Sequence, residues 1–493
     1  MSEANELFTT GIAGLDAVLG GGFSRRELAL IVGPPGAGKT VLASHLLFNA
    51  ARNGTKGLIF TAYSEGNDQY IAHMHNFGFF DRALLGSTIQ IFTLASQPAD
   101  QDASPAITIA RMIRQSGAKL VLLDGFQGAA ELLPVQTALR EVLSALALQI
   151  RYLDVTLLVT IAGEVRDPRL HAEMTVADVA IGMHYTINGR RHQRRFEIIK
   201  QRGRAQWPGL HSYRLDGQGV HVFPRLESYP PPPGRPQSAE RAVFGLPELD
   251  QLLGGGLNVG TTTLLAGAPG VGKTTLGLHW ALSGARPDAS ALFLTFGEHA
   301  AQLEQKAAAF GLDLSAGQAD GSVRVLRISP ADIDPDEVAA LVLAELASGK
   351  VSRLVCDDIV VLVHELGDRS REYLSALNDL VYAANVTSLY MLEIPPFDGL
   401  RFHLTNIPLA VFGDNVLVVQ QYELEGQLRR LLAVLRMRLS FFDRTVRELV
   451  LDESGVRVLT PAESTFGLPR VGARASSGVA PIDDDSAGSA MPS

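Results

Sequence analysis

Two octapeptides in this sequence carry the residues best suited to chemistry. GPPGAGKT occupies residues 33–40 and GAPGVGKT occupies residues 267–274. In the pattern GxxxxGK[ST] the glycines let the backbone wrap around phosphate oxygens, and the helix that follows directs free N–H groups at them. The lysine reaches the β- and γ-phosphates of a nucleoside triphosphate, and the threonine hydroxyl binds Mg²⁺. The pattern therefore predicts two sites for ATP and Mg²⁺.

The residues predicted to contact ATP lie in these octapeptides and at the position that follows each. They are Gly33, Gly36, Ala37, Gly38, Lys39, Thr40 and Val41 in the first, and Gly267, Gly270, Val271, Gly272, Lys273, Thr274 and Thr275 in the second. Each octapeptide follows an apolar run and precedes a helical pattern, so two chance turns are a poor explanation. The two lysines are also candidate catalytic residues, because they contact the transferred phosphoryl group.

Acidic residues end other apolar runs. Asp124 ends LVLLD, and Asp357 and Asp358 end RLVCDD. A carboxylate at such a strand end orients Mg²⁺ in phosphate-loop enzymes, although an aspartate there can also simply cap a turn. We predict one metal site at Thr40 and Asp124, and a second at Thr274 with Asp357 or Asp358.

Hydrolysis also needs a group that orients or deprotonates the attacking water. Glu65 and Glu298 lie just past the apolar runs GLIFTA and ALFLTF, 26 and 25 residues after Lys39 and Lys273. Either could be an ordinary surface glutamate, because a position in a loop does not fix the direction of a side chain. They are the candidate catalytic carboxylates.

The two octapeptides belong to a larger internal duplication. Their offset is 267 − 33 = 234 residues, and residues 11–61 and 245–295 share 20 identities over 51 ungapped positions. Such self-similarity indicates two copies of one structural unit. Four consecutive prolines between the copies favour an extended spacer. We predict copy one at residues 1–227, a linker at 228–240, copy two at 241–460, and a flexible tail rich in Ser, Ala, Gly and Pro at 461–493.

Short apolar runs alternate with helical patterns in both copies. In copy one the predicted strands are LALIV (28–32), GLIFTA (57–62), TIQIF (88–92), LVLLD (120–124) and VTLLVT (155–160). This alternation predicts βαβ units, and hence an α/β fold with a mostly parallel, buried sheet. The β-favouring segments from about 177 to 223 predict an antiparallel extension, and DNVLVVQQYEL and its successors predict the same in copy two.

The composition of the chain argues against several classes of protein. The chain has 493 residues, a formal net charge of −9 and a pI near 5.8, which argues against a protein that works by neutralising nucleic-acid phosphates. The single cysteine, Cys356, excludes an internal disulfide and a multi-cysteine zinc site. We find neither a secretory signal pattern nor an apolar run long enough for a membrane span, so we expect a cytoplasmic protein that does not bind membranes.

The chain resembles the KaiC family of RecA-type ATPases, which includes circadian clock proteins. The resemblance rests on TTGIAGLDAVLGGG before the first phosphate loop, on the strand and acid after it, and on RRFEIIKQRG followed by YRLDGQGVHVFP, and it extends over nearly all of residues 6–460. It implies two tandem RecA-like P-loop domains that assemble into a homohexamer of two stacked rings, with ATP at the subunit interfaces. The family pattern favours Asp357 over Asp358, whereas the offset of 234 favours Asp358.

The resemblance also implies basic residues that act on the nucleotide of the neighbouring subunit. The family's K-x-R-G element matches Lys200-Gln201-Arg202-Gly203, and Arg436 and Arg438 occupy the two basic positions in copy two. Cations that arrive from another subunit would stabilise charge on the transferred phosphoryl group. Without the resemblance, alternating solvent-facing charges on an edge strand would be the preferred interpretation.

Two departures from the family pattern bear on activity. A paired Glu-Glu is replaced by Ser64-Glu65 and by Gly297-Glu298, so we expect slow hydrolysis. The positions at which clock members phosphorylate themselves are Ala410 and Val411, which have no hydroxyl group.

The sequence therefore predicts a KaiC-like, ATP-binding and slowly hydrolysing regulatory ATPase with Mg²⁺ as its cofactor and other copies of itself as partners, besides an unidentified regulatory protein. Three alternatives stay open: an autophosphorylating serine/threonine kinase, a DNA-acting RecA-like recombinase or helicase, and a scaffold that binds ATP without hydrolysing it. The acidic pI makes nucleic acid an unfavoured partner.

Overall fold

The computed structural model describes residues 7–61, 66–93, 105–126, 139–188, 191–233, 239–396, 409–424, 426–460 and residue 463. Glu65 and Ser64 lie outside the described residues. The predicted tail, apart from residue 463, lies outside them as well.

Copy one contains eleven strands and six α-helices within its described residues. The strands are β1 (Leu7–Phe8), β2 (Phe23–Ser24), β3 (Leu28–Gly33), β4 (Gly57–Thr61), β5 (Ile89–Thr93), β6 (Leu120–Leu123), β7 (Thr156–Ala162), β8 (Val179–Asn188), β9 (Arg191–Gln201), β10 (His211–Asp216) and β11 (Gly219–Phe223). The helices are α1 (Ala13–Val18), α2 (Lys39–Arg52), α3 (Asn67–Met74), α4 (Pro105–Ser116), α5 (Leu139–Leu153) and α6 (His171–Val176).

Copy two contains another eleven strands and seven α-helices in the part of the chain that the structure describes. The strands are β12 (Arg241–Ala242), β13 (Leu257–Asn258), β14 (Thr262–Gly267), β15 (Ser290–Thr295), β16 (Val323–Arg327), β17 (Val351–Asp357), β18 (Thr387–Glu393), β19 (Asn415–Leu424), β20 (Gln427–Met437), β21 (Arg447–Asp452) and β22 (Gly455–Val458). The helices are α7 (Pro247–Leu252), α8 (Lys273–Ser283), α9 (Ala300–Ala309), α10 (Leu314–Ala319), α11 (Pro335–Leu346), α12 (Ile359–Leu366) and α13 (Ser370–Ala383).

Each copy is built on a nine-stranded sheet with the same topology over the described ranges. The order is β5-β4-β6-β7-β3-β8-β9-β10-β11 in copy one and β16-β15-β17-β18-β14-β19-β20-β21-β22 in copy two. The first six strands of each order run parallel, and the last three extend the sheet in an antiparallel manner. The predicted α/β fold of two tandem RecA-like domains, with its antiparallel extension, is confirmed.

The parallel strands are apolar along their whole length because helices cover both faces of the sheet. All six residues of β3 are buried. Ile31 on one face packs with Leu46 of α2, and Leu30 on the other face packs with Leu146 of α5. Continuous apolar runs, and not alternating ones, are therefore what this three-layer arrangement requires. Among the described residues, no helix is both long enough and apolar enough to cross a membrane.

An ion-pair cluster joins the end of copy one to copy two. Asp336 of α11 is fully buried and accepts hydrogen bonds from Arg369, at 2.9 and 3.2 Å, and from the backbone N–H of Leu226 in copy one, at 3.3 Å. Arg369 also donates to both carboxylate oxygens of Glu227, at 3.0 and 2.8 Å. The Leu226 side chain is buried in the copy-two core. One guanidinium thus holds carboxylates from both copies.

Replacing Arg369 with alanine should leave Asp336 buried without its cation. Removing one partner of a buried ion pair costs about 3 kcal/mol, so we expect a clear fall in the urea midpoint followed by circular dichroism. Arg371 is exposed two residues further on, in the first turn of α13, and Arg371→Ala is the matched control with an expected change within about 0.5 kcal/mol. Equal losses in the two variants would contradict a stabilising role for the cluster.

Candidate nucleotide-binding sites

The first octapeptide forms the loop between β3 and α2. Gly38 precedes the helix with a φ of 84°, in the left-handed region that favours glycine. Glycine has no side chain, so Gly38 cannot cap the helix. The N–H groups of the first helical turn therefore remain available to an anion. Ala37 is fully buried, and its carbonyl accepts a hydrogen bond from the Tyr213 hydroxyl at 2.5 Å, which holds the loop against β10.

Thr40 and Asp124 meet at the start of α2. The Thr40 hydroxyl lies 2.9 and 3.0 Å from the two carboxylate oxygens of Asp124. The hydroxyl of Thr160, near the end of β7, donates to the same carboxylate at 2.7 Å and accepts a hydrogen bond from the Gly125 N–H. Asp124 is only 7 % exposed, so these bonds fix its direction.

Lys39 folds back onto the loop that precedes it. Its Nζ donates to the Pro34 carbonyl at 3.0 Å. Burial lowers the pKa of Lys39, and the nearby charge of Asp124 opposes that shift. A bound phosphate would supply the negative charge that this half-buried ammonium lacks.

The second octapeptide repeats this geometry between β14 and α8. Gly272 has a φ of 103° at the start of the helix. Lys273 Nζ donates to the carbonyls of Gly267 and Ala268, at 2.9 and 3.1 Å. The Thr274 hydroxyl donates to Asp357 at 2.7 Å. Burial lowers the pKa of Lys273, against the charges of Asp358, Glu393 and Asp357.

Asp357 and Asp358 have different partners. In copy two the sheet register places Thr295 opposite Asp357. In copy one it places Phe60 opposite Leu123, so the next residue, Thr61, corresponds to Asp124. Thr61 is the equivalent of Thr295, and Asp357 is therefore the counterpart of Asp124. The offset between the copies has therefore fallen to 357 − 124 = 233 at this strand.

Asp358 turns away from the threonine hydroxyl. It accepts hydrogen bonds from the N–H of Val360, at the start of α12, and from that of Glu393, at 2.9 and 2.8 Å. Burial raises the pKa of Asp358 to about 6 and also raises the pKa of Asp357. Among the described residues, Asp357 and not Asp358 accepts a hydrogen bond from the Thr274 hydroxyl.

A cavity of about 700 Å³ surrounds the second phosphate loop, and Glu298 lines it. The Glu298 carboxylate forms an ion pair with Lys306 of α9, which lines the same cavity. The remaining predicted ATP contacts of copy two lie in or beside this loop; Val271 is fully buried and Thr275 is 4 % exposed. Glu65, the counterpart of Glu298, falls outside the described residues.

The basic residues predicted to act on a neighbouring subunit bind backbone carbonyls of their own copy. Lys200 donates to the carbonyls of Met174 and Thr175, and Arg202 donates to Thr175 and forms an ion pair with Asp178.

Copy two repeats the arrangement with two arginines. Arg436 donates to the carbonyls of Ala410 and Gly413, while Arg438 donates to that of Val411 and pairs with Asp414 at 3.6 Å. All four cations lie at or just past the ends of β9 and β20, which pair there with the starts of β8 and β19. In the sheet order they lie on the side of the phosphate-loop strand opposite Asp124 and Asp357.

The residues at each site suit magnesium. A threonine hydroxyl and a buried carboxylate are hard oxygen donors, which Mg²⁺ prefers, and each pair lies at the helix start where phosphate oxygens would complete the coordination.

Phosphate loops, buried strand-end aspartates and a parallel sheet with helices on both faces define a P-loop nucleotide-binding protein. A sequence model described as "ATPase: KaiC" matches residues 8–227 and again 243–463, and the chain belongs to this family.

Its curated relatives resemble it along most of their length. The circadian clock oscillator protein KaiC of Picosynechococcus sp. is 25% identical over 467 residues, which covers 91% of this chain and 88% of the relative. KaiC 1 of Synechocystis sp. is 25% identical, covering 90% and 88%. KaiC of Nostoc sp. is 24% identical, covering 92% and 89%.

Sequence patterns did not identify three residues at these sites. Thr160 and Glu393 lie on the strand between the phosphate-loop strand and the aspartate strand, and no motif covers that strand. Lys306 lies on a helix whose charges look solvent-facing in sequence. Knowledge of the sheet register would have identified Thr160 and Glu393, because the carboxyl ends of adjacent parallel strands lie at the same edge of the sheet.

Exchange of each acid for its amide should separate Asp357 from Asp358. In a Lys39→Ala background, Asp357→Asn should raise the Mg²⁺ concentration needed for half-maximal binding of a fluorescent ATP analogue by about tenfold or more, because it weakens a metal donor. Asp358→Asn keeps the Thr274–Asp357 pair and should change that concentration by less than about threefold. The reverse order would assign the metal to Asp358.

Proposed function

We propose that this protein is a regulatory ATPase that binds one ATP in each copy at an interface between subunits, hydrolyses it slowly, and assembles as a homohexamer of two stacked rings. The observation that carries the proposal is that a phosphate-loop threonine hydroxyl contacts a strand-end aspartate in both copies, beside a lysine that is half-buried in copy one and buried in copy two. Both sites keep the lysine and threonine of the phosphate loop and the aspartate at the strand end. Duplication of an interface site would give two rings from one chain.

Mg²⁺ would be held by Thr40 with Asp124, and by Thr274 with Asp357. When bound, it neutralises charge on the β- and γ-phosphates. The chain's own residues do the remaining work: the loop N–H groups and lysines position the phosphates, and the helix starts favour their charge. In copy one, Glu65 is the proposed water-orienting carboxylate.

The basic pairs support a nucleotide held between subunits. Several of the hydrogen-bond acceptors of these cations are neutral backbone carbonyls. A phosphate group, which is negatively charged, is a stronger acceptor and can replace them. A cavity of about 700 Å³ lies beside Lys200; Arg166 and His171 line it as well, together with one acid, Glu197. It provides room and positive charge for a ligand that another subunit presents.

The name of each relative given above describes a clock oscillator, and we propose a regulatory role for this chain on that basis. Self-phosphorylation at the family positions is disfavoured, because Ala410 and Val411 offer no hydroxyl and their carbonyls bind Arg436 and Arg438. Transfer of label from γ-labelled ATP to the protein would instead support a kinase. Stimulation of hydrolysis by single-stranded DNA would support a recombinase or helicase.

A scaffold that binds ATP without hydrolysing it is the alternative that the Glu298–Lys306 ion pair favours. This pair engages the carboxylate predicted to orient water in copy two. The amount of ADP formed per chain over many hours separates slow turnover from none.

A subunit-mixing experiment tests the interface site. With copy two silenced by Lys273→Ala, both Lys39→Ala and Arg202→Ala chains should lose hydrolysis, the second by about 100-fold or more, since a cation acting in trans is worth 10³–10⁵. Random mixing of equal amounts should restore about a quarter of the parent activity per site, because one interface in four then joins an intact loop to an intact arginine.

The same samples require an assembly measurement. Light scattering should show a hexamer mass with ATP and a smaller species without it. No recovery on mixing, with each variant still hexameric, would place Arg202 outside the site. A protein that stays monomeric when saturated with ATP would contradict the whole proposal.

A further inference from the structure

Glu393 occupies a chemically important position in copy two. It is the last residue of β18, which lies between the phosphate-loop strand β14 and the aspartate strand β17. In the parallel register Glu393 is opposite Gly267, the first residue of the phosphate loop. Its side chain lines the cavity that Lys273, Asp357 and Asp358 also line.

The backbone around Glu393 is fixed to both neighbouring strands. Its N–H donates to Asp358 at 2.8 Å, and the N–H of Ile394 donates to the Gly267 carbonyl at 3.2 Å. Lys273 Nζ donates to that same carbonyl at 2.9 Å. Two hydrogen bonds thus connect the backbone next to Glu393 to the lysine that would hold the γ-phosphate.

The carboxylate of Glu393 is exposed to the cavity, whereas that of Glu298 is engaged. Glu298 forms an ion pair with Lys306. A carboxylate oxygen that already accepts from an ammonium has less capacity left to accept a hydrogen bond from a water molecule. The negative charge of Glu393 reaches Lys273, where it opposes the burial-driven fall of the pKa of that lysine.

Copy one has no carboxylate at the equivalent place. Ala162 ends β7 opposite Gly33, and the Gly163 N–H donates to the Gly33 carbonyl at 3.1 Å, as Ile394 does to Gly267. The two strand ends therefore superpose in register, and they differ in the side chain. An acid at this position is a property of the second site alone.

We propose that Glu393, and not Glu298, orients and deprotonates the attacking water in copy two; this inference rests on the proposed hydrolysis of ATP. The water oxygen forms a bond to the γ-phosphorus as one of its protons passes to the Glu393 carboxylate. The bond between that phosphorus and the β–γ bridging oxygen breaks, and ADP leaves with the electron pair. The proton then passes to the released phosphate or to solvent, so ATP and water are the only reactants.

The test uses full-length chains in a Lys39→Ala background, so that only copy two hydrolyses ATP. Glu393→Gln keeps the size of the side chain and the backbone N–H that binds Asp358. Loss of a general base lowers kcat by about 100-fold, whereas the Kd for ATP should change by less than about threefold. The exposed Glu372 provides a matched control, and Glu372→Gln should retain the parent kcat.

The companion variant is Glu298→Gln. It frees Lys306 and leaves Glu393 in place, so we expect kcat to fall at least about tenfold less than it does in Glu393→Gln. The acid side of the kcat–pH profile should disappear in Glu393→Gln and persist in Glu298→Gln. A large loss in Glu298→Gln with normal turnover in Glu393→Gln would overturn the assignment. Equal falls in ATP affinity and kcat in Glu393→Gln would also overturn it, because they indicate a binding role.

A variant that gains activity provides a further test, because misfolding cannot produce an increase in rate. With copy two silenced by Lys273→Ala, Ala162→Glu introduces the acid into copy one and should raise its turnover severalfold. An unchanged or reduced rate with normal ATP affinity would count against the inference. If the Lys39→Ala parent itself binds ATP and forms no ADP, hydrolysis in copy two is excluded, a result that differs from failure of Glu393→Gln alone.

Discussion

Each site depends on one hydrogen bond between a threonine hydroxyl and an aspartate carboxylate. The threonine lies at the start of the helix that follows the phosphate-loop strand, and the aspartate ends a strand that is not adjacent to the phosphate-loop strand. In the sheet order the aspartate strand β6 is separated from β3 by β7, and β17 is separated from β14 by β18. The hydroxyl and the carboxylate can approach within about 3 Å only if all three strands run parallel and end at the same level. The intervening strand therefore becomes part of the site, whatever residue it ends on.

The two copies use that intervening strand differently. In copy one Thr160 donates to Asp124 and holds it in place. Register equates Thr160 with Met391, which has no hydroxyl, while the strand end carries Glu393 in place of Ala162. Copy two thus collects more carboxylates around its phosphate loop, balanced by Lys273 and Lys306. An anion at that site would meet this acidic background, which the two lysines offset.

Much of the fold follows from the sequence, because each signal there is local. The octapeptides specify their loops through glycines at positive φ, and the uninterrupted apolar run of β3 specifies a strand buried on both faces. The match with the KaiC ATPase family over both halves agrees with that interpretation. The choice between Asp357 and Asp358 was different, since a constant offset cannot detect a residue lost between two strands; sheet register can.

The contacts between side chains of different elements could not be predicted from the sequence. That Lys306 takes the Glu298 carboxylate depends on how α9 lies against the cavity, and that Arg436 takes two carbonyls depends on the path of residues 409–414. Both contacts join residues from different elements, so neither leaves a periodic or spacing signal. The roles of the paired cations likewise depend on a second subunit, which one chain does not contain.

The guanidinium of Arg369 also determines how the repeats are mechanically connected. Apolar contacts resist separation but tolerate sliding, whereas forked bonds to two carboxylates have fixed directions in space. Slippage at this joint would have to break those bonds, so the ion-pair cluster resists it in a way that a proline-rich spacer alone would not.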